Sequence, residues 1–290
     1  MQFDLFNDSH NVVLRNDVIH ALEQSEVATA QSAWETFRQK YPQDEHLDAL
    51  RVLIDAVAER TQTVFQTHVL LRGARQVLQN TIEPAARRTF AEQAAVAWLR
   101  TRWQELAERA APLAFDANHG EDHSAPLYLR ASKWQAAADA VASIESWRRI
   151  PTPLFWMVQA RLQLVGLQTT WGMLAELAWL APHRLDELVT QAIDPTLQQL
   201  MHRFESDFEG VGDASDLAWF PAWVLTERPG LAAYLAQAQA SRHSDPEQAL
   251  RVLVELLGLE RQGRHHDVVE RRKTLRGLHA SLYAAYMATR

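Results

Sequence analysis

Metal-competent side chains are most crowded between residues 112 and 126, in the stretch PLAFDANHGEDHSAP. Carboxylate, amide and imidazole groups follow one another there at short spacing, and they are Asp116, Asn118, His119, Glu121, Asp122 and His123. Such groups are the ones that proteins use to ligate cations. Two Pro, one Gly and the lack of a helical period indicate a loop. Cation binding is therefore the first chemistry to consider.

Part of this stretch, D-A-N-H-G-E-D, resembles a calcium-binding loop. The match fails at the two positions on which the geometry of that loop depends. Gly120 stands one place early for the tight turn, and the twelfth position holds Leu127 rather than a bidentate Glu. The sequence therefore predicts a solvated acidic linker at residues 112–126, and no metal site.

Known catalytic strings are absent from the sequence, among them H-E-x-x-H, G-x-x-x-x-G-K-[ST], G-x-S-x-G and G-x-G-x-x-G. His265 and His266 are adjacent and cannot both face one point from a helix or a strand. Isolated histidines such as His20 and His68 indicate surface or satisfied core positions. The sequence thus predicts no catalytic residue, no cofactor and no enzymatic activity. A helical enzyme or small-ligand binder, with a pocket between the two halves near residues 112–126, is the alternative.

The composition restricts the class of protein and of partner. The chain of 290 residues has a formal net charge of -7, contains no Cys and is 47% apolar. Without Cys, disulfides, thiolate zinc sites and Cys nucleophiles are excluded. The negative total disfavours nucleic acid, since binding to backbone phosphates needs a positive field. The N-terminus MQFDLFNDSH lacks a signal-peptide pattern and the chain lacks a long apolar run, so we expect a cytoplasmic protein without a membrane partner.

Helical periodicity is clearest between Asp17 and Pro42, where apolar residues recur at three- and four-residue steps after a polar elbow at Gln24 to Glu26. This pattern predicts a helical hairpin. One set of residues stands at steps of +4, +3 and +5, and it is Ala30, Trp34, Phe37 and Pro42. That spacing resembles the second-helix signature of a tetratricopeptide repeat. It returns at Thr170, Leu174, Leu177 and Pro182.

The resemblance implies an all-α fold of stacked antiparallel helical hairpins, a tetratricopeptide-repeat-like α-solenoid with about 11–13 helices. Strong helix-start signals further along the chain, such as Asp194-Pro195, favour the same fold. We expect an N-terminal array over residues 1–111, the linker at 112–126 and a C-terminal array over 127–290, with one continuous solenoid as the alternative.

The N-terminal pentapeptide QFDLF resembles the motif, QL[SD]LF in form, by which bacterial replication and repair proteins bind the sliding clamp. The resemblance implies that the Gln2 amide forms hydrogen bonds and that Leu5 and Phe6 enter an apolar pocket of the clamp. Phe3 departs from the usual Leu. The alternative is that Phe3, Leu5 and Phe6 fold back onto the first helix, in a segment too short to be helical itself.

Two further groups of residues are candidates for partner binding. Trp219 and Trp223 flank Pro221 and could form an aromatic platform, although buried stacking explains the same residues. The last part of the chain carries a basic run, which is Arg271, Arg272, Lys273 and Arg276. Such a run indicates a solvated helix face. The alternatives are contact with phosphate or RNA, which the negative total disfavours, and a surface for an acidic protein partner.

Together these patterns predict a non-catalytic interaction scaffold that binds a peptide or helix of another protein in a concave groove. Clamp association through QFDLF and the helical enzyme or ligand binder are the alternatives.

Overall fold

The computed structural model describes residues 3–59, 63–191, 194–239 and 243–290, and the regular elements in these ranges are all helical. The all-α fold class predicted from the sequence is therefore confirmed. The chain divides into two compact units, Met1–Lys133 and Trp134–Arg290. The described residues contain 16 α-helical segments, more than the sequence suggests, because segments as short as Ala232–Leu235 hold too few residues to show a helical period.

Helices of the first unit pack mainly on their neighbours along the chain. Within its described residues the α-helices are α1 (Phe3–Glu23), α2 (Val27–Lys40), α3 (Leu47–Ala58), α4 (His68–Val77), α5 (Glu83–Thr89), α6 (Glu92–Ala110) and α7 (Ser124–Arg130). A π-helical turn, Leu78–Ile82, joins α4 to α5, and a 3-10 turn, Ala117–His119, lies between α6 and α7.

The predicted helical hairpin at residues 17–42 is present as α1 and α2, and these two helices pack on each other. Ser25 adopts a left-handed backbone with φ 59°, and the Glu26 amide donates to the Ala21 carbonyl at 2.9 Å, which closes the elbow. Phe37 is fully buried, and Trp34 Nε1 donates to the Leu47 carbonyl at 3.0 Å. The hairpin is therefore fixed to α3 by an indole hydrogen bond as well as by apolar packing.

The expectation that the N-terminal segment is too short to be helical is wrong, because α1 begins at Phe3. Asn7-Asp8-Ser9 contains neither Gly nor Pro and does not break the helix.

Residues 112–126, the segment predicted to be a solvated linker, are part loop and part helix. They lie within the first unit and include the 3-10 turn and the start of α7. Asp122 is only 1% exposed and accepts hydrogen bonds from Arg72 and Arg75 of α4. Two ion pairs to a helix about fifty positions earlier hold this segment in place, and local composition could not show them.

The second unit is built around one long helix, α9 (Pro151–Leu180), in which Trp171 is only 2% exposed. Its other α-helices within the described residues are α8 (Trp134–Ala142), α10 (Pro182–Gln191), α11 (Pro195–Asp207), α12 (Phe220–Glu227), α13 (Ala232–Leu235), α14 (Asp245–Arg261), α15 (His265–Leu278) and α16 (Ala280–Ala288). Glu176 of α9 is buried and accepts hydrogen bonds from Arg148 Nη2 at 2.7 Å and from the Gln239 amide at 2.6 Å. This carboxylate therefore links α9 to the 3-10 turn Trp147–Arg149 and to the loop at Gln239.

Gly166 kinks α9 with φ 78° and ψ 174°, a conformation that L residues with side chains rarely adopt. We expect Gly166→Ala to lower the free energy of unfolding by about 2 kcal/mol, as measured by urea denaturation. Gly258→Ala in α14 is the matched control, since Gly258 has ordinary helical φ and open space around the position of a Cβ. Alanine there should be neutral or stabilising by about 0.5–1 kcal/mol. Equal effects at the two positions would contradict the backbone argument.

Candidate functional site

A cavity of about 710 Å³ opens in the first unit, with walls from α3, the segment before α4, α4, the π-helical turn and α6. Its apolar lining includes Val64, Ala74, Leu78, Ile82 and Leu106. Ligand pockets in proteins commonly have volumes of about 300–1,000 Å³ and mainly apolar walls. The cavity is thus large enough to receive several side chains of a partner or a small ligand.

The π-helical turn at Leu78–Ile82 forms one wall of the cavity. Its physical cause is Pro84, which has no backbone N–H to donate to the carbonyl of Asn80 four residues earlier. The helix takes in one extra residue in this turn and continues beyond it. Leu78 is buried by this turn while Ile82 is half-buried beside the opening. Single π-turns within helices are frequently found at functional sites.

Charged side chains at the rim of the cavity carry a small excess of negative charge. The carboxylates are Glu59, Glu105 and Glu108, and the guanidinium groups are Arg102 and Arg109. Arg102 is 6% exposed, and its Nη2 lies 3.2 Å from Glu105 Oε1. Arg109 donates from Nε to the Thr63 carbonyl at 3.0 Å and lies over the Phe65 ring. Both cations therefore have internal contacts, and the exposed carboxylate of Glu59 adds negative charge at the rim.

An exposed apolar ridge adjoins this cavity, and we call it the α4 surface: Val64, Val69, Leu70 and Val77. Val69 is 68% exposed, Leu70 57% and Val77 54%. Val69 and Val77 lie eight residues apart on one side of α4, with Gly73 between them. Val64 and Val77 also line the cavity. The ridge and the cavity therefore form one continuous apolar surface. This surface cannot be recognised from the sequence, because an exposed apolar helix face has the same periodicity as a core-facing one.

Three metal-competent side chains come together beside the first turn of α4. One ligand atom from each of His68, Asp116 and His119 lies within 4.8 Å of the other two. The His68 and His119 rings are stacked, with centroids 5.1 Å apart, and His119 Nδ1 lies 2.7 Å from Asp116 Oδ2. Hydrogen bonds from His119 and from the Asn118 amide hold the pKa of Asp116 below its usual range. The sequence indicates Asp116 and His119 as metal-competent, but it presents His68 as an isolated histidine, because His68 is 48 positions from Asp116.

Asp122 and His123 anchor the same segment but face the protein rather than the cluster's ligand atoms. Arg72 Nε and Arg75 Nε donate to the two oxygens of Asp122 at 2.8 and 3.0 Å. His123 is 4% exposed, and its Nδ1 accepts from the Ala125 amide at 3.2 Å, which caps α7. Burial, together with the nearby His68, lowers the pKa of His123 to about 4. These two residues serve the packing of residues 112–126.

The aromatic platform predicted around Pro221 is largely internal. Trp223 is 2% exposed and packs edge to face against Phe204, with ring centroids 5.5 Å apart. Trp219 is half-buried and packs against His279, with ring centroids 4.5 Å apart. The buried-stacking alternative therefore describes Trp223, which is not accessible to a partner.

The other predicted partner-binding residues have different surroundings. Gln2 lies outside the described residues, and Leu5 and Phe6 lie in α1, so clamp binding through QFDLF stays a prediction. In the basic run, Arg271 pairs with Glu255 at 2.9 Å, Arg272 with Glu260 at 3.1 Å and Lys273 with Glu270 at 2.7 Å. Arg276 is exposed. Three of the four cations are thus balanced by carboxylates of the same unit, which weakens the field that this run offers to an acidic partner.

None of the described helices combines the length and the apolar character that crossing a membrane requires. Comparisons of the chain with protein-family models, with curated proteins and with solved structures find no match. The α4 surface, its cavity and the side chains around them are therefore the features that bear on function.

Proposed function

We propose that this chain is a protein-binding module that receives an amphipathic helix of a partner on the α4 surface. The observation that carries the proposal is the continuity between the exposed apolar ridge of α4 and the cavity of about 710 Å³ beside it. Contiguous apolar surface next to a pocket is characteristic of interaction sites, whereas scattered exposed apolar residues need no explanation.

The residues that line the cavity indicate which side chains the partner helix would carry. An apolar side chain of the partner would enter between Leu78, Ile82 and Leu106, and its neighbours one helical turn away would cover Val69 and Val77. Basic residues flanking that apolar face would meet Glu59 and the other rim carboxylates. Helix-in-groove recognition uses anchors at such helical spacing.

The site offers a surface that needs little rearrangement. Three of the four residues of the α4 surface lie on α4, and this helix is held at its start by the Thr67 hydroxyl, which accepts from the Leu70 amide. Binding to a preformed surface avoids much of the ordering cost that a flexible loop would incur. A small set of apolar anchors then suffices for specific binding.

The proposal is tested with a synthetic 18-residue peptide carrying Leu on one helix face and Lys on the other. We expect it to bind the full chain, as measured by fluorescence anisotropy. Val77→Glu and Val69→Glu should each weaken binding about tenfold or more. The added carboxylates would attract the Lys residues, so this loss cannot come from charge and would report the apolar contact itself.

Val211→Glu is the matched control, since Val211 is 84% exposed and lies in the second unit. It should bind the peptide as the wild type does. A second peptide with Glu in place of Lys should bind more weakly, because the cavity rim has an excess of carboxylates. Unchanged binding by both α4 variants, or no binding of the Leu-Lys peptide at all, would overturn the proposal.

A further inference from the structure

The ligand atoms of His68, Asp116 and His119 are close enough to share one ion after side-chain rotation alone. A four-coordinate Zn²⁺ with bonds of about 2.0–2.2 Å holds its ligand atoms about 3.3–3.5 Å apart. In the cluster the corresponding atoms lie within 4.8 Å of one another. The difference is within the reach of small torsions about the side-chain bonds of the three residues.

The tautomer of His68 is set by its backbone partner. His68 Nε2 lies 2.9 Å from the Ala114 carbonyl oxygen, which is only an acceptor, so Nε2 carries the proton. The lone pair of Nδ1 is then left for another interaction. Histidines that bind metals usually donate their second ring N–H to a carbonyl or a carboxylate in this way, which fixes the ring and increases its basicity.

The Asp116 carboxylate, which would be the anionic ligand of a cation, lies within hydrogen-bond distance of the His119 imidazole. Asp116 Oδ2 lies 2.7 Å from His119 Nδ1, and an ion would take the place of the proton between these two atoms. Asp116 Oδ1 accepts from the Asn118 amide at 2.9 Å, and the His119 amide donates to the Asp116 carbonyl at 2.9 Å. The turn that carries both ligands is therefore fixed by its own backbone.

The two elements that supply the ligands are also held against each other. His68 is the first residue of α4, and the pairs of Asp122 with Arg72 and Arg75 join that helix to residues 112–126. All three ligands are half-buried, so further coordination positions would face water. An ion here would act as an additional link between α4 and the loop.

The ligand set defines the class of ion. Two imidazoles with one carboxylate suit late first-row divalent metals, whereas Ca²⁺ and Mg²⁺ prefer sets of oxygen ligands. The absence of Cys in the chain leaves no thiolate to compete for the ion elsewhere. We propose that His68, Asp116 and His119 form a binding site for a late first-row divalent metal ion such as Zn²⁺. This inference does not depend on the proposed protein-binding function.

Isothermal titration of the full chain with Zn²⁺, after treatment with a chelator, tests the site. We expect saturable binding of one ion per chain at this site, and His119→Gln and Asp116→Asn should each weaken it at least about tenfold. His68→Gln should do the same while keeping an N–H donor for the Ala114 carbonyl. His202→Gln, at an exposed position of α11, is the matched control and should leave binding unchanged.

A second measurement needs no variant. Zn²⁺ should protect His68 and His119 of the wild-type chain from modification by diethyl pyrocarbonate, as mapped by peptide mass spectrometry, and should leave His202 as reactive as before. Protection of the two cluster histidines would support the site even if a variant failed to fold. Absence of saturable Zn²⁺ binding, equal binding by the wild type and the ligand variants, or unprotected His68 and His119 would each overturn it.

Discussion

Replacing Asp122 by Asn is expected to lower the free energy of unfolding of the first unit by about 3 kcal/mol. Asp122 is 1% exposed, and it forms two charge-assisted hydrogen bonds, with Arg72 and Arg75. The amide keeps the shape of the side chain but removes the charge and directs an NH₂ group at guanidinium groups. Arg75, whose side chain is 15% exposed, would keep its charge without its carboxylate partner. Urea denaturation combined with hydrogen exchange of peptides from α4 and residues 112–130 measures the loss within the first unit.

Asp55→Asn is the matched control for this experiment. Asp55 also pairs with an arginine, Arg51, but both side chains are more than 40% exposed and lie four residues apart on one helix. Such exposed pairs contribute about 0.3–0.5 kcal/mol. A double-mutant cycle with Arg75→Gln separates the interaction between Asp122 and Arg75 from the other effects of each substitution. We expect a coupling energy of about 1 kcal/mol or more. If Asp122→Asn were no more destabilising than Asp55→Asn, residues 112–126 would not be held by these ion pairs.

The helical fold could be predicted because its evidence is local. The elbow at Gln24 to Glu26 and the apolar steps around Phe37 follow from neighbours in sequence, and the structure places α1 and α2 there. A helical period and its interruptions are properties of short windows. Short segments such as α13 escape this reasoning because packing against α9 and α14, rather than their own periodicity, makes them helical.

The candidate sites could be predicted only in part, because they combine residues distant in the sequence. The sequence identifies Asp116 and His119 among six metal-competent residues of one segment, but the third member of the cluster, His68, comes from α4. The same distance concealed the role of Asp122, whose charge looked like that of a solvated linker. The α4 surface is a different case, since Val69 and Val77 have the spacing of a core face, and only the fold shows that both side chains are more than half exposed.

Acid is expected to destabilise the first unit through His123, in a window between pH 6.5 and about pH 4. Burial lowers the pKa of His123 to about 4 in the folded protein, with His68 acting in the same direction, whereas the unfolded chain has the ordinary value of 6.5. Above pH 6.5 the ring is neutral in both states and contributes full stability. As the pH falls below 6.5 the unfolded chain binds a proton that the folded chain does not bind until about pH 4. The two pKa values differ by roughly 2.5 units, so about 3 kcal/mol is lost across the window.

His123→Asn removes this titration while keeping an oxygen that can accept from the Ala125 amide and cap α7. The variant is therefore expected to lose less stability than the wild type between pH 6.5 and pH 4, with the difference approaching about 3 kcal/mol at the acid end. Urea denaturation at half-unit pH steps in the presence of a chelator, which keeps the neighbouring histidines metal-free, measures both curves. His202→Asn, at an exposed position, should leave the wild-type curve unchanged. Parallel curves for the wild type and His123→Asn would mean that the buried ring is not the group that the folded protein keeps neutral.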